Sequence, residues 1–240
     1  MGTQAVRSYR GFQSNETKIL LEDLLTRPEE YVASIERYSC SIVTIVGWGR
    51  RISRLNDPVA ERAIAFMDIV NAVIPGQAMM EVIPALAKLP WWINPLPSII
   101  GKATQKMTRY WFALAEEGAK YGSENNFSKR LLKEHEENGL SWKEVSNLTS
   151  NLIGGGVDTT SGSMISLILA MCVFRDKQRK AQEELDSVVG RDRMPDWDDE
   201  ESLPYITATV QEVLRWRTVT ILGGIPYVHP SSLSSSPLTL

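Results

Sequence analysis

Apolar residues recur at helical spacing along most of this chain. Ile19, Leu20, Leu21, Leu24 and Leu25 mark a short helix over 14–27, closed by Arg27-Pro28. Residues 29–47 continue as a helix rich in β-branched residues that ends near Gly47. Asp57-Pro58 opens another, which the pattern carries to about Ala72. Between 75 and 100 the period is lost. Pro75, Pro84, Pro90, Pro95 and Pro97 punctuate an apolar stretch with Trp91, Trp92 and Ile93, which predicts a loop with short helical pieces. A long amphipathic helix follows from about Gly101 to Tyr121. Ser141 and Glu144 have the spacing of a capping box and start an unusually long helix that runs to about Phe174. The next, 176–189, carries Ala181, Leu185, Val188 and Val189 on one face and stops at Gly190. Pro195 to Glu201 reads as an acidic loop, and 203–217 as a helix with Ile206, Val210, Val213 and Leu214 on one face. No strand pattern stands out, so the expected fold class is mainly α.

One break in this pattern is costly. Gly154-Gly155-Gly156-Val157-Asp158-Thr159-Thr160 lies inside the longest helix. A glycine in a helix interior costs about 1 kcal/mol relative to alanine. Three in a row imply that something comes close to the backbone there. Two readings are open: a kink at a tight helix crossing, or a groove that admits a ligand. An acid and an alcohol follow at once, a pairing suited to handling protons.

Composition narrows the classes. The chain has 240 residues, 43% of them hydrophobic, enough for a sizeable core in one or two domains. Its net charge of -3 carries no nucleic-acid footprint. Its two cysteines, Cys40 and Cys172, have neither metal spacing nor a disulfide framework, and both sit in apolar runs that predict buried structural thiols. No signal peptide and no unbroken run of about 18 apolar residues is apparent. Glu212 and Arg215, at i and i+3 on a helix, read from spacing as a solvated pair. His135, in a charged run, reads as a surface histidine, and His229 as a loop residue. Trp91, Trp92 and Ile93 read either as buried loop anchors or as an exposed apolar lip.

Two motifs in order add a resemblance. Gly155-Gly156-Val157-Asp158-Thr159-Thr160 resembles the motif on the long central helix of cytochrome P-450 haem-thiolate monooxygenases, and Glu212-x-x-Arg215 resembles that family's Glu-x-x-Arg helix. Between them, Arg179 to Asp186 and Leu203-Pro204-Tyr205 look like the segments found there in fungal members. The resemblance covers about residues 5–226, roughly the middle half of a full-length member. It implies the central helical part of that fold, with most of the β region and the haem-Cys loop missing. Residues 1–228 would be a partial domain and 229–240 a low-complexity, disordered tail.

The function implied is haem-dependent O2 activation and substrate hydroxylation. The cofactor would be haem b, with NADPH electrons arriving through a reductase partner and a small hydrophobic substrate. The resemblance implies that Gly155 and Gly156 line the O2 and haem groove, that Thr159 bonds the distal oxygen or a water, and that Asp158 relays protons. Glu212 and Arg215 would form a buried network under the haem. The segment 84–100 would connect two helices over the substrate channel, with Trp91 and Trp92 at the channel and in peripheral contact with a membrane. The family resides in the endoplasmic-reticulum membrane. This chain shows no anchor and would be cytoplasmic or peripheral.

Departures from the family pattern qualify the activity. Neither cysteine matches the haem loop, so no axial metal ligand is expected. Thr218 and Ile221 stand where prolines are common, and Tyr227-Val228 where a basic residue usually holds a haem propionate. From about His229 the likeness stops, which suggests a truncated product or a faulty gene model. The chain as written is then expected to be inactive. A non-catalytic helical remnant or decoy protein is the alternative.

Overall fold

The computed structural model describes residues 7–54, 56–123 and 126–219, and only the backbone at 70–78, 81 and 138. The tail at 229–240, together with Ile221, Tyr227, Val228 and His229, lies outside the described residues. Among those described, eight α-helices and three short 3-10 turns follow one another, with no strand. The mainly α class holds. The helices are α1 (Arg10–Thr26), α2 (Tyr31–Trp48), α3 (Pro58–Val82), α4 (Leu96–Tyr121), α5 (Phe127–Asn138), α6 (Trp142–Val173), α7 (Arg175–Val188) and α8 (Pro204–Trp216).

Local chemistry explains most boundaries. The Asp57 carboxylate accepts from Val59 N–H and, with Pro58 in the first turn, starts α3. Ser141 and Glu144 close the capping box that starts α6. Asn126 caps α5 by accepting from Lys129 N–H, while its amide donates to the Gly118 and Ser123 carbonyls. Its cap sets where that helix starts, and Phe127, Leu131 and Leu132 pack on the core. The end of α2 lies at Gly49, not Gly47: only Gly49 takes the left-handed conformation, at φ 66°. Gly47 instead lets α2 approach α6.

Two predicted boundaries move. The backbone stays helical past Pro75 to Val82, and α4 begins at Leu96 instead of Gly101. Proline removes one donor but does not by itself end a helix whose flanks are held. The irregular connection is therefore shorter than expected, with a 3-10 turn at Pro84–Lys88.

The core forms where α2, α4 and α6 pack, roofed by α3 and α5. Trp48 and Trp111 stack at 5.5 Å in its centre, and Phe66 meets Trp111 edge-on. Val145, Ile153 and Val157 are the contribution of α6. Hydroxyls tie the helices: Ser128 Oγ donates to the Gly47 carbonyl and Ser146 Oγ to the Thr108 carbonyl, each at 2.7 Å. By length and average composition α6 could cross a membrane, although no unbroken apolar run reveals it. Its first half packs instead against α2 and α4.

Two expectations about single side chains are corrected. Cys40 is buried, but Cys172 is exposed, because the end of α6 emerges from the core. His135 is half-buried: Gly139, at φ 70°, turns the chain back so that the Leu140 carbonyl meets its Nδ1, and Phe112 packs edge-on against its ring.

Candidate functional site

The helix α6 runs unbroken through its glycines. The three glycines have different surroundings. A Cβ on Gly154 or Gly155 would meet nothing within 4 Å. A Cβ on Gly156 would stand 2.5 Å from Val43 Cγ2 of α2, closer than two carbons can pack. A tight crossing and an open wall are thus present on one helix. Gly156 serves the helix crossing, and Gly155 keeps an open wall. We expect Gly156→Ala to lower stability by about 1–3 kcal/mol through overpacking. Gly155→Ala should be neutral or slightly stabilising through helix propensity. Urea unfolding of both variants checks the split, and equal midpoints would refute it.

Thr159 lies one turn beyond Gly155 on this open side. Its Oγ1 donates to the Gly155 carbonyl at 2.6 Å, a bond that parks the hydroxyl proton beside the glycine wall. Ser163 repeats the arrangement one turn further, donating to the Thr159 carbonyl at 2.8 Å. Asp158 is half-buried, and its charge is felt by Glu36 and Cys40 of α2.

Glu212 and Arg215 pair as their spacing predicts. Arg215 Nε donates to Glu212 Oε2 at 2.7 Å, and Nη2 to Oε1 at 2.5 Å. The guanidinium holds the Glu212 carboxyl below its usual range, and the carboxylate raises Arg215 in return. Among the described residues the pair is solvated, as the spacing predicts, with side chains 59% and 73% exposed. The pair projects away from the buried side of α8, which is marked by Val213. It stands between two clefts. One, of about 320 Å³, lies among Ala170, Phe174, Tyr205, Glu212, Val213 and Trp216. The other, of about 520 Å³, runs from Gly162 and Ser166 to Arg215 and Val219.

Trp91 and Trp92 line neither cleft. They are 74% and 70% exposed beside Leu89 and Ile93, which settles the choice for a lip over buried anchors. Asn94 fixes the turn beneath them: its amide donates to the Leu86 carbonyl, and its oxygen accepts from Leu96 N–H.

A thiolate-ligated haem needs a deprotonated cysteine at the iron. Cys40 is sealed in the core, and its thiol is pushed up to about 12 by burial, then by Glu36 and Asp158. Cys172 is exposed but lies about 20 Å along α6 from Thr159 at helical rise. The open wall at Gly155 fits the close approach of a bulky group. The two cysteines do not fit as its axial ligand.

Two residues at these interfaces went unnoticed in the sequence. Glu36 lies in the α2–α6 seam. Glu184 of α7 receives Tyr205 N–H and Ile206 N–H at the start of α8, each at 2.9 Å. Nothing in their spacing singles them out, because each acts on a different helix.

Comparison with known proteins agrees with this geometry. The family profile described as "Cytochrome P450" matches residues 3–224. Cytochrome P450 monooxygenase 58 of Postia placenta is 32% identical over 230 residues, covering 93% of this chain and 44% of the relative. Cytochrome P450 monooxygenase alnH of Emericella nidulans is 34% identical over 231 residues, covering 93% of this chain and 42% of the relative. Cytochrome P450 monooxygenase polD of Polytolypa hystricis is 30% identical over 237 residues, covering 97% and 46%. The chain thus spans a little under half the length of these curated relatives, and it belongs to the cytochrome P450 family.

Proposed function

We propose that this chain supplies the oxygen-side and proton-handling wall of a haem monooxygenase, and that neither of its own cysteines ligates the iron. The observation that carries this is the open Gly155 backbone with the Thr159 hydroxyl held one turn away at 2.6 Å. A hydroxyl donates and accepts, so it can steer a proton without holding charge beside an apolar ligand. Bound haem would supply the oxygen chemistry. Thr159 would orient a proton at its Oγ1, and the partly exposed Asp158 would relay protons from solvent. Glu212 and Arg215 would act structurally, and their exposed bidentate pair is ready for a further partner. A small hydrophobic substrate and an NADPH-dependent reductase follow from the family. The exposed Trp91, Trp92 and Ile93 support peripheral membrane contact through 84–100.

The position of the cysteines favours a chain that is non-catalytic by itself. The test is a reduced-plus-CO difference spectrum of the purified chain reconstituted with haem. The expected result is no Soret band of the thiolate-ligated type. Such a band would mean that Cys40 or Cys172 reaches the iron, and would overturn the assignment.

A further inference from the structure

The exposed lip continues into a surface of one charge. Between Glu81 and Glu116 the chain carries Lys88, Lys102, Lys106 and Arg109 and no acid, although its net charge is -3. All four cations are exposed, and none is held in an ion pair among the described residues. Three of them belong to α4. Ile99, Lys102, Lys106 and Arg109 recur at i, i+3, i+7 and i+10, the spacing of one helix stripe. That stripe lies half a turn around α4 from Trp111, which is buried with Thr108, Leu114 and Ala115. The helix therefore shows one face to the core and a cationic one to solvent. On the neighbouring α3, Arg62 stacks on the Tyr110 ring at 4.3 Å, and the exposed Glu61 and Asp68 outweigh it, so α3 adds no cationic surface.

The lip sits at the start of this stripe. Asn94 donates to the Leu86 carbonyl and accepts from Leu96 N–H, so the turn with Trp91, Trp92 and Ile93 is fastened to the first turn of α4. Ile99, half-exposed, carries the apolar surface onto the stripe itself. At helical rise, Lys102, Lys106 and Arg109 follow Leu96 by about 9, 15 and 20 Å. Salt limits the reach of an exposed charge to about 10 Å. With α4 upright on the lip, only Lys88 and Lys102 would act. All four cations act together only when α4 lies along the surface that the lip enters.

We propose that the outer stripe of α4 lies along an anionic lipid surface. Lys102, Lys106 and Arg109 reach the headgroups, while Trp91, Trp92 and Ile93 enter the acyl boundary beside them. The role rests on the reading of the lip as a membrane contact. Long basic side chains without fixed partners suit the diffuse charge of headgroups, and tryptophan suits their depth. An apolar lip and a basic patch together anchor a chain that either alone would hold only weakly.

The test is flotation of the purified chain with two kinds of vesicle, phosphatidylcholine alone and phosphatidylcholine with phosphatidylserine in equal parts. The expected result is binding to the mixed vesicles that is tighter by about tenfold or more, an advantage that shrinks as salt rises. Lys102→Gln/Lys106→Gln/Arg109→Gln should abolish this preference and keep the binding to neutral vesicles. Its melting curve should match the parent's, since all three side chains are exposed. Arg109→Gln alone should remove part of the preference, because that residue acts only with α4 lying flat.

A triple variant that keeps the preference, or an Arg109→Gln variant that loses none of it, overturns the proposal. Displacement by millimolar inorganic phosphate also overturns it, since the target would then be a single anion site. A chain that sediments as a dimer and refuses both vesicles overturns it in favour of a second copy on the lip. Trp91→Ser/Trp92→Ser separates the stripe from the lip. Equal binding to both vesicles that this variant abolishes removes the stripe and leaves the lip. Neutral-vesicle binding that this variant leaves in place removes the lip, and the proposal with it.

Discussion

Arg37→Ala is expected to destabilise the chain by about 3–5 kcal/mol, the usual cost of removing one partner from a buried ion pair. Arg37 is 3% exposed and Glu16 1%. Arg37 Nη1 donates to Glu16 Oε2 at 2.9 Å and to the Ile52 carbonyl at 3.2 Å. Its Nε lies 3.4 Å from Asp23 of the same helix as Glu16. Alanine leaves Glu16 enclosed with only the half-exposed Arg51, and leaves the Ile52 carbonyl without this donor. The pair is not itself a large net gain. Arg37 Nε and Nη2 are buried without hydrogen-bond partners, so part of its desolvation cost is unrecovered. A Glu16→Leu/Arg37→Leu double variant should therefore regain much of the loss. Urea unfolding followed by circular dichroism measures both. A single-variant change below about 1 kcal/mol would show that water relaxes the site.

Glu184→Ala is expected to loosen α8 locally by about 2 kcal/mol, roughly a 30-fold rise in amide exchange at Tyr205 and Ile206. The reason lies in how α8 begins. Leu203 occupies the N-cap position and has no side-chain acceptor, while Pro204 occupies the first turn. The next two N–H groups would be orphans. The Glu184 carboxylate of α7 takes both, one on each oxygen. It also sits at the positive end of the α8 dipole. Glu212 follows about two turns further along α8, so the Glu212–Arg215 pair depends on this cap for its placement. Glu184→Gln keeps one acceptor and should lose about half as much. Unchanged exchange in Glu184→Ala would mean that packing alone starts the helix.

What could be read from the sequence follows from how local each cause is. The Ser141–Glu144 box and Asp57-Pro58 act within one turn, and both helices start where those residues stand. The bounds of α6 were legible for the same reason. Pro75 was over-read, since a proline ends a helix only when its flanks are free to leave. Gly47 was mistaken for a helix end because a glycine at a crossing and a glycine at a cap look alike in sequence. The family showed in the order of Gly155–Thr160 and Glu212–Arg215, and the match over 3–224 bears it out. Which side of α6 each residue serves was not legible. Val43 fixes Gly156 from a distant part of the chain. The exposure of Glu212 and Arg215 matches the solvated pair read from their i, i+3 spacing.

The unequal glycines of α6 have an evolutionary consequence. Positions 154, 155 and 162 face open space, so side chains can be added there without repacking a neighbour. Position 156 is locked to Val43. Selection for a new ligand can therefore reshape one flank of the helix freely while the other keeps its register. Changes at 156 should arrive together with a smaller residue at 43.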